Sequence, residues 1–164
     1  MHIEGCRGEE KRDMRHPGGV FVTIIGLVVI LSGLAGCATA PPTTALAEGQ
    51  SGTIVFPTVT LTTSQFLTGV KEAPQTVISG ELRFPREGTG RVPAVILVHG
   101  SGGVGPGEQK WAREFTGMGV AAFILDSFTR RGITETATDQ SRLASAAMIV
   151  DAYRALELLA MPAA

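Results

Sequence analysis

An uninterrupted apolar run restricts the fold of this chain more than any other feature. PAVILV occupies residues 93–98 and leads directly into a glycine-rich segment, HGSGG, at residues 99–103. A strand that is apolar at every position is typical of a parallel sheet covered on both faces, because neither face then meets water. VAAFIL at residues 120–125 has the same character. The two runs therefore predict buried parallel strands of an α/β sheet, the first of them a central strand.

The segment between the two runs, EQKWAREFTGM, predicts a helix at residues 108–118. Trp111 and Phe115 lie one helical turn apart, and Gly117 and Gly119 are able to end the helix before the second strand. Strand, helix and strand then make a βαβ unit, whose crossover is almost always right-handed.

Two segments ahead of this unit predict antiparallel strands. IVFPTVTLTT at residues 54–63 and TVISGELRF at residues 76–84 alternate apolar and polar residues. Such alternation is typical of strands with one exposed face, and Pro57, which lacks an N–H, places the first strand at an edge. The predicted sheet is mostly parallel, with antiparallel N-terminal strands.

A long helix is predicted after the second apolar run. Thr138 or Asp139 is able to cap it, and the helical pattern continues through Leu159. Five residues at helical spacing predict the face that packs in the core: Ala146, Ile149, Val150, Tyr153 and Leu156.

The N-terminus has the pattern of an export signal. Arg15 precedes an uncharged run at residues 20–35, VFVTIIGLVVILSGLA. This run is short for a membrane span of roughly 20 residues and typical of a signal-peptide core. It ends in LAGC at residues 34–37, which is similar to the bacterial lipobox. We expect Cys37 to be lipidated; the alternative is a transmembrane anchor with an incidental cysteine.

The chain accordingly divides into three predicted parts. Residues 1–36 are a signal peptide, with Met14 as the expected start of translation. Residues 37–52, which are small, Pro-rich and nearly uncharged, are a lipidated flexible tether. Residues 53–164 are the globular domain. The expected location is outside the cytoplasm, anchored to a bacterial membrane through lipid.

Charge and cysteine content exclude several classes of function. Lys and Arg total 14 against 15 Asp and Glu, a net charge of −1, so no broad positive field attracts nucleic acid. Cys6 and Cys37 both precede the domain, which therefore has no thiol for a disulfide, a metal or a nucleophile. We expect neither a metal nor a nucleic-acid partner.

The glycine-rich segment at residues 99–103 is placed for ligand binding. Ligands of open α/β sheets bind beyond the carboxyl ends of the strands. Glycine permits positive φ and close backbone approach, so a main-chain N–H is able to point at a substrate oxygen.

These segments together resemble a known family. GELRFPREGTGRVPAVILVHGSGG, a helix, and then VAAFILDSFTRRG are similar to the first half of a dienelactone hydrolase domain, and the likeness covers residues 76–160. The resemblance implies part of an α/β-hydrolase fold and hydrolysis of a small carboxylic ester or lactone, without a cofactor.

The resemblance also implies roles for the loop residues. One N–H of the oxyanion hole comes from the loop after this strand, which by position is that of Ser101 or Gly102. His99, Gly100 and Gly103 then shape the loop. His99 is not the catalytic base, because the base of the fold follows the nucleophile and the acid along the chain.

The catalytic triad of such a hydrolase is missing from the sequence. No G-x-S-x-G or G-x-C-x-G occurs, and His99 is the only histidine after the signal peptide. We therefore expect an inactive N-terminal fragment, cut before the nucleophile elbow, whose full-length nucleophile is either Ser or Cys.

Two adjacent arginines follow the second apolar run at the same sheet edge. Arg130 and Arg131 are able to bind a substrate carboxylate in a bidentate fork. Alternatively, one pairs with Asp126 or another nearby acid while the other is solvated. We expect Asp126 to hydrogen-bond the turn that follows it.

Two other functions stay open. Gly100, Gly102 and Gly105 followed by Asp126 match the fingerprint of an NAD(P)-binding oxidoreductase. Pro106 and Gly107 count against it, because the phosphate-binding helix should already be under way there. The remaining alternative is a non-catalytic lipoprotein that uses the fold as a binding or structural module.

Overall fold

The computed structural model describes residues 41–70, 73–86 and 90–161. The signal peptide, Cys37 and the lipobox lie outside these residues. The described strands are β1 (Gly52–Val59), β2 (Gln75–Arg83), β3 (Ala94–Val98) and β4 (Ala121–Asp126). The described α-helices are α1 (Thr63–Leu67), α2 (Pro106–Gly117) and α3 (Ser145–Ala160). Single 3-10 turns occupy Thr129–Arg131 and Gln140–Arg142.

The strands form one mixed sheet in the order β1-β2-β4-β3. β1 pairs antiparallel with β2, β2 pairs antiparallel with β4, and β3 pairs parallel with β4. This confirms the α/β class, the antiparallel N-terminal strands, the edge position of β1 and the parallel pairing of the two apolar runs. The sheet is mixed rather than mostly parallel, because β4 uses one of its edges to pair with β2.

β4 is the centre of the core. All five residues Ala121–Leu125 are buried. On one face, Phe123 and Leu125 pack with β1, β2 and the Ala155 and Leu158 side chains of α3. On the other face, Ala122 and Ile124 pack with Ala112 of α2. Removal of a large apolar side chain from water stabilises a fold by about 1.5–3 kcal/mol. Because β4 is buried on both faces, we expect it to contribute strongly to the stability of the domain.

The phenyl ring of Phe123 passes directly over Gly80 of β2. A Cβ atom on residue 80 would lie 2.3 Å from the ring. Phe123 also packs against Phe56 of β1, with ring centroids 5.9 Å apart. Glycine at position 80 therefore makes room for an aromatic contact that spans three strands.

The prediction that the first apolar run is a central strand was wrong for the described residues. β3 lies at the end of the sheet, and Val98 is 46% exposed. Within the described ranges β4 is its only neighbour, so one edge of an entirely apolar strand is open.

The predicted start of the long helix was also wrong. The Asp139 side chain accepts a hydrogen bond from the Ser141 N–H, but it begins only the 3-10 turn at Gln140–Arg142. Leu143 and Ala144 are then extended, so α3 begins at Ser145. From the sequence alone, an Asp that caps a 3-10 turn cannot be distinguished from an Asp that caps an α-helix.

The predicted core face of this helix was wrong as well. Ala146 is buried and Val150 is half-buried, but Ile149, Tyr153 and Leu156 are exposed. The buried residues of α3 are Ala146, Ala147, Asp151, Ala155 and Leu158. This face packs inward with its apolar residues and with Asp151, which bonds to groups beneath the helix, as described below.

α2 ends at the predicted glycine, Gly117, but begins two residues before the predicted start, at Pro106. Proline is favoured in the first helical turn, where its missing N–H is not needed. The Gly105 N–H donates to Glu108 Oε2 at 2.8 Å, so the Glu108 carboxylate caps the N-terminus of α2.

Part of the predicted tether contacts the domain. The Thr43 N–H donates to the Val55 carbonyl oxygen at 2.7 Å, and Leu46 packs against the main core. In the residues the structure describes, no helix is long and apolar enough to cross a membrane.

Candidate functional site

The carboxyl ends of β3 and β4 meet at one end of the sheet, where the loops after both strands come together. His99, which is 3% exposed, joins the two loops. The Ser127 N–H donates to His99 Nε2 at 3.2 Å, and His99 Nδ1 lies 2.8 Å from the Gly100 carbonyl oxygen. The Phe128 ring packs edge-on against the imidazole at 4.3 Å. His99 thus holds the glycine-rich loop against the turn after β4.

The glycine-rich loop makes a tight turn that requires glycine at position 103. The Gly103 N–H donates to the Gly100 carbonyl oxygen at 3.1 Å, and Gly103 has φ +77°. A Cβ atom there would lie 3.1 Å from the Thr134 carbonyl oxygen. A side chain there would be strained by both the positive φ and the close approach.

A second segment supports Ser101 from the other side. The Ser101 carbonyl oxygen accepts from the Thr136 N–H at 2.7 Å, and its hydroxyl accepts from Gln140 Nε2 at 3.0 Å. Neither the Ser101 N–H nor the Gly102 N–H has an acceptor among the residues that the structure describes. The loop therefore holds two successive main-chain donors whose hydrogen bonds are not used internally.

Two carboxylates stabilise this supporting segment. The hydrogen bond from the Thr138 side chain lowers the pKa of Glu135, and that from the Ser141 side chain lowers the pKa of Asp139. Asp139 is exposed and Glu135 is half-buried. Hydrogen bonding to the ionised form favours it, so both turns are strongest when the carboxylates are charged.

Arg131 is not presented to a ligand. Its Nη1 and Nη2 atoms donate to the two carboxylate oxygens of Asp151 at 2.7 and 3.0 Å. Nη1 also donates to the Ser127 carbonyl oxygen, and Nε donates to Thr60 Oγ1. Side-chain exposure is 6% for Arg131 and 0% for Asp151. Arg130 is exposed at the same turn.

Of the two alternatives for the arginines, the structure shows the ion pair for Arg131, with Asp151 rather than Asp126 as its partner. Asp126 Oδ1 instead accepts the N–H groups of Phe128 and Thr129, at 3.0 and 2.9 Å. It therefore bonds the turn after β4.

Sequence reasoning missed Asp151. Asp151 Oδ1 also accepts from Thr58 Oγ1 of β1 at 2.8 Å, so it links α3 to the sheet. The signal was a charged residue on the same helical face as Ala147 and Ala155, four positions from each of them. Sequence reasoning also gave no role to Ser127, whose buried Oγ has no partner among the described residues.

The start of α2 does not offer a free anion site. The helix begins directly after Gly105, so the objection based on Pro106 does not hold. However, the Glu108 carboxylate occupies the N-terminus of the helix, where a pyrophosphate would bind. The Asp126 carboxylate, which would bind a ribose, is engaged by its own turn.

The described residues assemble no catalytic triad. Backbone groups engage both ring nitrogens of His99, and His2 and His16 fall outside the described ranges. Across these ranges there is no group of three His, Cys, Asp or Glu side chains that could hold a metal ion.

The chain matches no protein-family model, no curated protein and no solved structure. The functional assignment therefore rests on the residues of the site and on the resemblance of the sequence segments.

Proposed function

We propose that this chain carries the oxyanion-binding loop of a carboxylic ester or lactone hydrolase of the dienelactone hydrolase type. One observation carries the proposal: the Ser101 and Gly102 N–H groups have no acceptor among the described residues, in a loop fixed from both sides. In α/β-hydrolases one oxyanion donor lies between the third strand and the following helix. Ser101 and Gly102 lie between β3 and α2.

In this proposal the loop binds the oxygen of the scissile carbonyl. As a nucleophile attacks the carbonyl carbon, the oxygen becomes negatively charged and its hydrogen bond to the main-chain donor strengthens. One such donor contributes about 2.7–4 kcal/mol, or roughly 10²–10³ in kcat. The loop is held by His99, Thr136 and Gln140, so little reorganisation is needed when the charge appears.

The proposal assigns nucleophile, acid and base to polypeptide other than the described residues. His99 cannot supply the base, because Nε2 accepts the Ser127 N–H and Nδ1 bonds to the Gly100 carbonyl oxygen. The nucleophile is either a serine or a cysteine. Export and lipid anchoring through Cys37 are part of the same proposal, and they rest on the sequence of residues 14–37.

An oxyanion mimic tests the loop directly. The full chain, labelled with ¹⁵N in detergent, is titrated with phenylphosphonate, and the amide resonances are followed by NMR. We expect saturable shifts at Ser101 and Gly102. Ser101→Ala keeps both N–H groups and should bind as the unaltered chain does, whereas Ser101→Pro removes one of the two donors and should bind more weakly. Equal responses of the two variants, or no shift at either amide, would contradict the proposal.

Hydrolysis of p-nitrophenyl acetate provides the complementary measurement. We expect the full chain to show no turnover above background, because the oxyanion donors alone do not supply a nucleophile. Turnover that Ser101→Pro abolished would overturn the assignment of the triad to other polypeptide. The nucleophile would then have to be sought among Ser101, Ser127 and Ser141.

A further inference from the structure

The buried imidazole of His99 holds the two loops of the candidate site together, and its contacts require one protonation state. Nε2 accepts a hydrogen bond from the Ser127 N–H at 3.2 Å, so Nε2 carries no proton. Nδ1 lies 2.8 Å from the Gly100 carbonyl oxygen, which only accepts hydrogen bonds, so Nδ1 carries the proton. His99 is therefore a neutral imidazole whose proton is on Nδ1.

The Gly100 carbonyl oxygen connects this imidazole to the shape of the glycine-rich loop. It accepts from His99 Nδ1 and from the Gly103 N–H, the hydrogen bond that closes the tight turn. The other ring nitrogen binds Ser127 in the turn after β4. Among the described residues, no other hydrogen bond joins the loop at residues 99–103 to that turn. The contact between the two segments therefore depends on His99.

Protonation of this imidazole would place a donor where an acceptor is needed. The new Nε2 proton would face the Ser127 N–H across the same 3.2 Å, and two donors repel each other. The Ser127 hydroxyl is buried but has no hydrogen bond to the imidazole. A charge that stays buried without a partner is strongly unfavourable, and His99 is only 3% exposed. A protonated His99 therefore has to leave its place between the two segments.

The charged groups of the turn after β4, and the acid of α3 that binds this turn, do not compensate for such a charge. Arg131 binds the Ser127 carbonyl oxygen, and Asp151 is paired with Arg131. Asp126 Oδ1 accepts two N–H groups of its own turn, and Arg130 is exposed. None of these four side chains hydrogen-bonds to the imidazole, whose partners are both backbone groups.

The segment that supports Ser101 from the other side keeps its charges in mild acid. Side-chain hydrogen bonds within its turns lower the pKa of Glu135 and of Asp139. The stability that these carboxylates contribute is lost only as the pH falls through the lowered values, below about pH 4. Arg142 stays charged throughout. Histidine is the side chain that ordinarily changes charge between about pH 8 and pH 5, and His99 is the only histidine after residue 16.

We propose that His99 is an acid-sensitive switch of the glycine-rich loop. Binding of a proton detaches the imidazole from Ser127 and loosens the loop, and loss of the proton restores the contact. The release follows from the contacts of His99, whereas its effect on ligand binding rests on the proposed oxyanion-binding function. Because Thr136 and Gln140 still hold Ser101, the loop loosens without unfolding, and oxyanion binding weakens without being lost.

NMR of the ¹⁵N-labelled full chain in detergent measures the release without a ligand, from about pH 8 to about pH 5. The scalar coupling between the Ser127 amide nitrogen and His99 Nε2 reports the hydrogen bond itself. We expect it to disappear in acid, while the heteronuclear NOE of the Ser101 and Gly102 amides falls. His99→Gln keeps an acceptor and does not titrate, so its amide NOE values should not change with pH. His16→Gln is the matched control and should behave as the unaltered chain does. A coupling that persists in acid, or the same fall in His99→Gln, would overturn the proposal.

Binding of benzenesulfonate separates this switch from the proposed function, because this oxyanion mimic keeps its charge throughout the titration. We expect the unaltered chain to bind it about fivefold more weakly at the acid end, which corresponds to the loss of one hydrogen bond. His99→Gln should bind it equally at both ends. No binding at either end, with the Ser127 coupling still lost in acid, would contradict the oxyanion assignment and support the switch. Equal binding by the unaltered chain at both ends, or the same acid loss in His99→Gln, would overturn the switch.

Discussion

Gly103 is the residue on which the shape of the candidate oxyanion loop depends most directly. Its φ of +77° would strain a side chain, and so would the 3.1 Å that would separate a Cβ atom from the Thr134 carbonyl oxygen. Gly107, four residues later, lies in α2 with open space around its Cβ position. A methyl group would therefore be strained at position 103 but would meet open space at position 107.

We expect Gly103→Ala to lower the free energy of unfolding by about 1–2 kcal/mol, the cost of left-handed backbone in an L-residue. The strain should also displace the Ser101 and Gly102 amides. Gly107→Ala should be neutral or stabilise the fold by up to about 1 kcal/mol, because alanine is the better helix former. Urea denaturation of the two variants measures the difference; equal losses would mean that position 103 tolerates a side chain.

At the scale of the elements, one buried ion pair joins parts of the chain that are far apart in sequence. Asp151 of α3 binds Arg131 in the turn after β4 and Thr58 of β1. Arg131 in turn binds the carbonyl oxygen of Ser127, whose N–H donates to His99. The orientation of α3 and the position of the glycine-rich loop are thereby connected.

Asp151→Asn keeps the shape of the side chain but leaves the Arg131 charge buried without its partner. We expect this variant to lose about 3–5 kcal/mol of unfolding free energy. Glu157→Gln breaks the exposed pair with Arg154 on the same helix, at 2.7 Å, and should cost less than about 1 kcal/mol. Thermal unfolding of both variants shows whether Asp151→Asn loses several times more unfolding free energy than Glu157→Gln. A small effect of Asp151→Asn would mean that the hydrogen bonds of Arg131 to Ser127 and Thr60 are sufficient.

Strands were more predictable from the sequence than helix faces, and the reason is physical. Alternation in β1 and β2 and the apolar runs of β3 and β4 are local signals, set by which faces meet water. α3 carries apolar residues around most of its circumference, so periodicity could not identify the face that meets the sheet. That choice depends on Asp151 and its distant partners Thr58 and Arg131.

The position of the candidate site could be predicted from the sequence, but the contacts that fix it could not. The glycines located the loop and its donors at the end of β3. The groups that fix Ser101 come from Thr136 and Gln140, far along the chain, and no local pattern indicates such contacts. Arg131 was indistinguishable in sequence from Arg130, because only the fold brings Asp151 to one of them.

For the molecule as a whole, lipidation at Cys37 would determine where the domain works. Residue Thr43 is already hydrogen-bonded to β1. The chain between Cys37 and Thr43 reaches about 20 Å at most when fully extended. A lipid on Cys37 would therefore keep the domain close to the membrane surface.

We expect Cys37→Ser to abolish acyl labelling and membrane retention. A single acyl chain binds a membrane only marginally, so stable anchoring should require at least two chains on this cysteine. Cys6 precedes Met14, the expected start of translation, so Cys6→Ser should change neither property. Metabolic labelling with a fatty acid and membrane fractionation provide the two measurements. If the Cys37→Ser protein still fractionated with membranes, a transmembrane anchor would be the better explanation.

The strand order also has a consequence for the time at which each part of the sheet is able to form. β4 lies between β2 and β3, although it is the last of the four strands to be synthesised. β3 therefore emerges during synthesis without a partner and waits until the whole of α2 and β4 has followed, a delay on the order of seconds at about 5–20 residues per second. During this interval a fully apolar strand is available to chaperones or to other nascent chains. The completion of β4 gives β3 its first partner and covers one of its two edges.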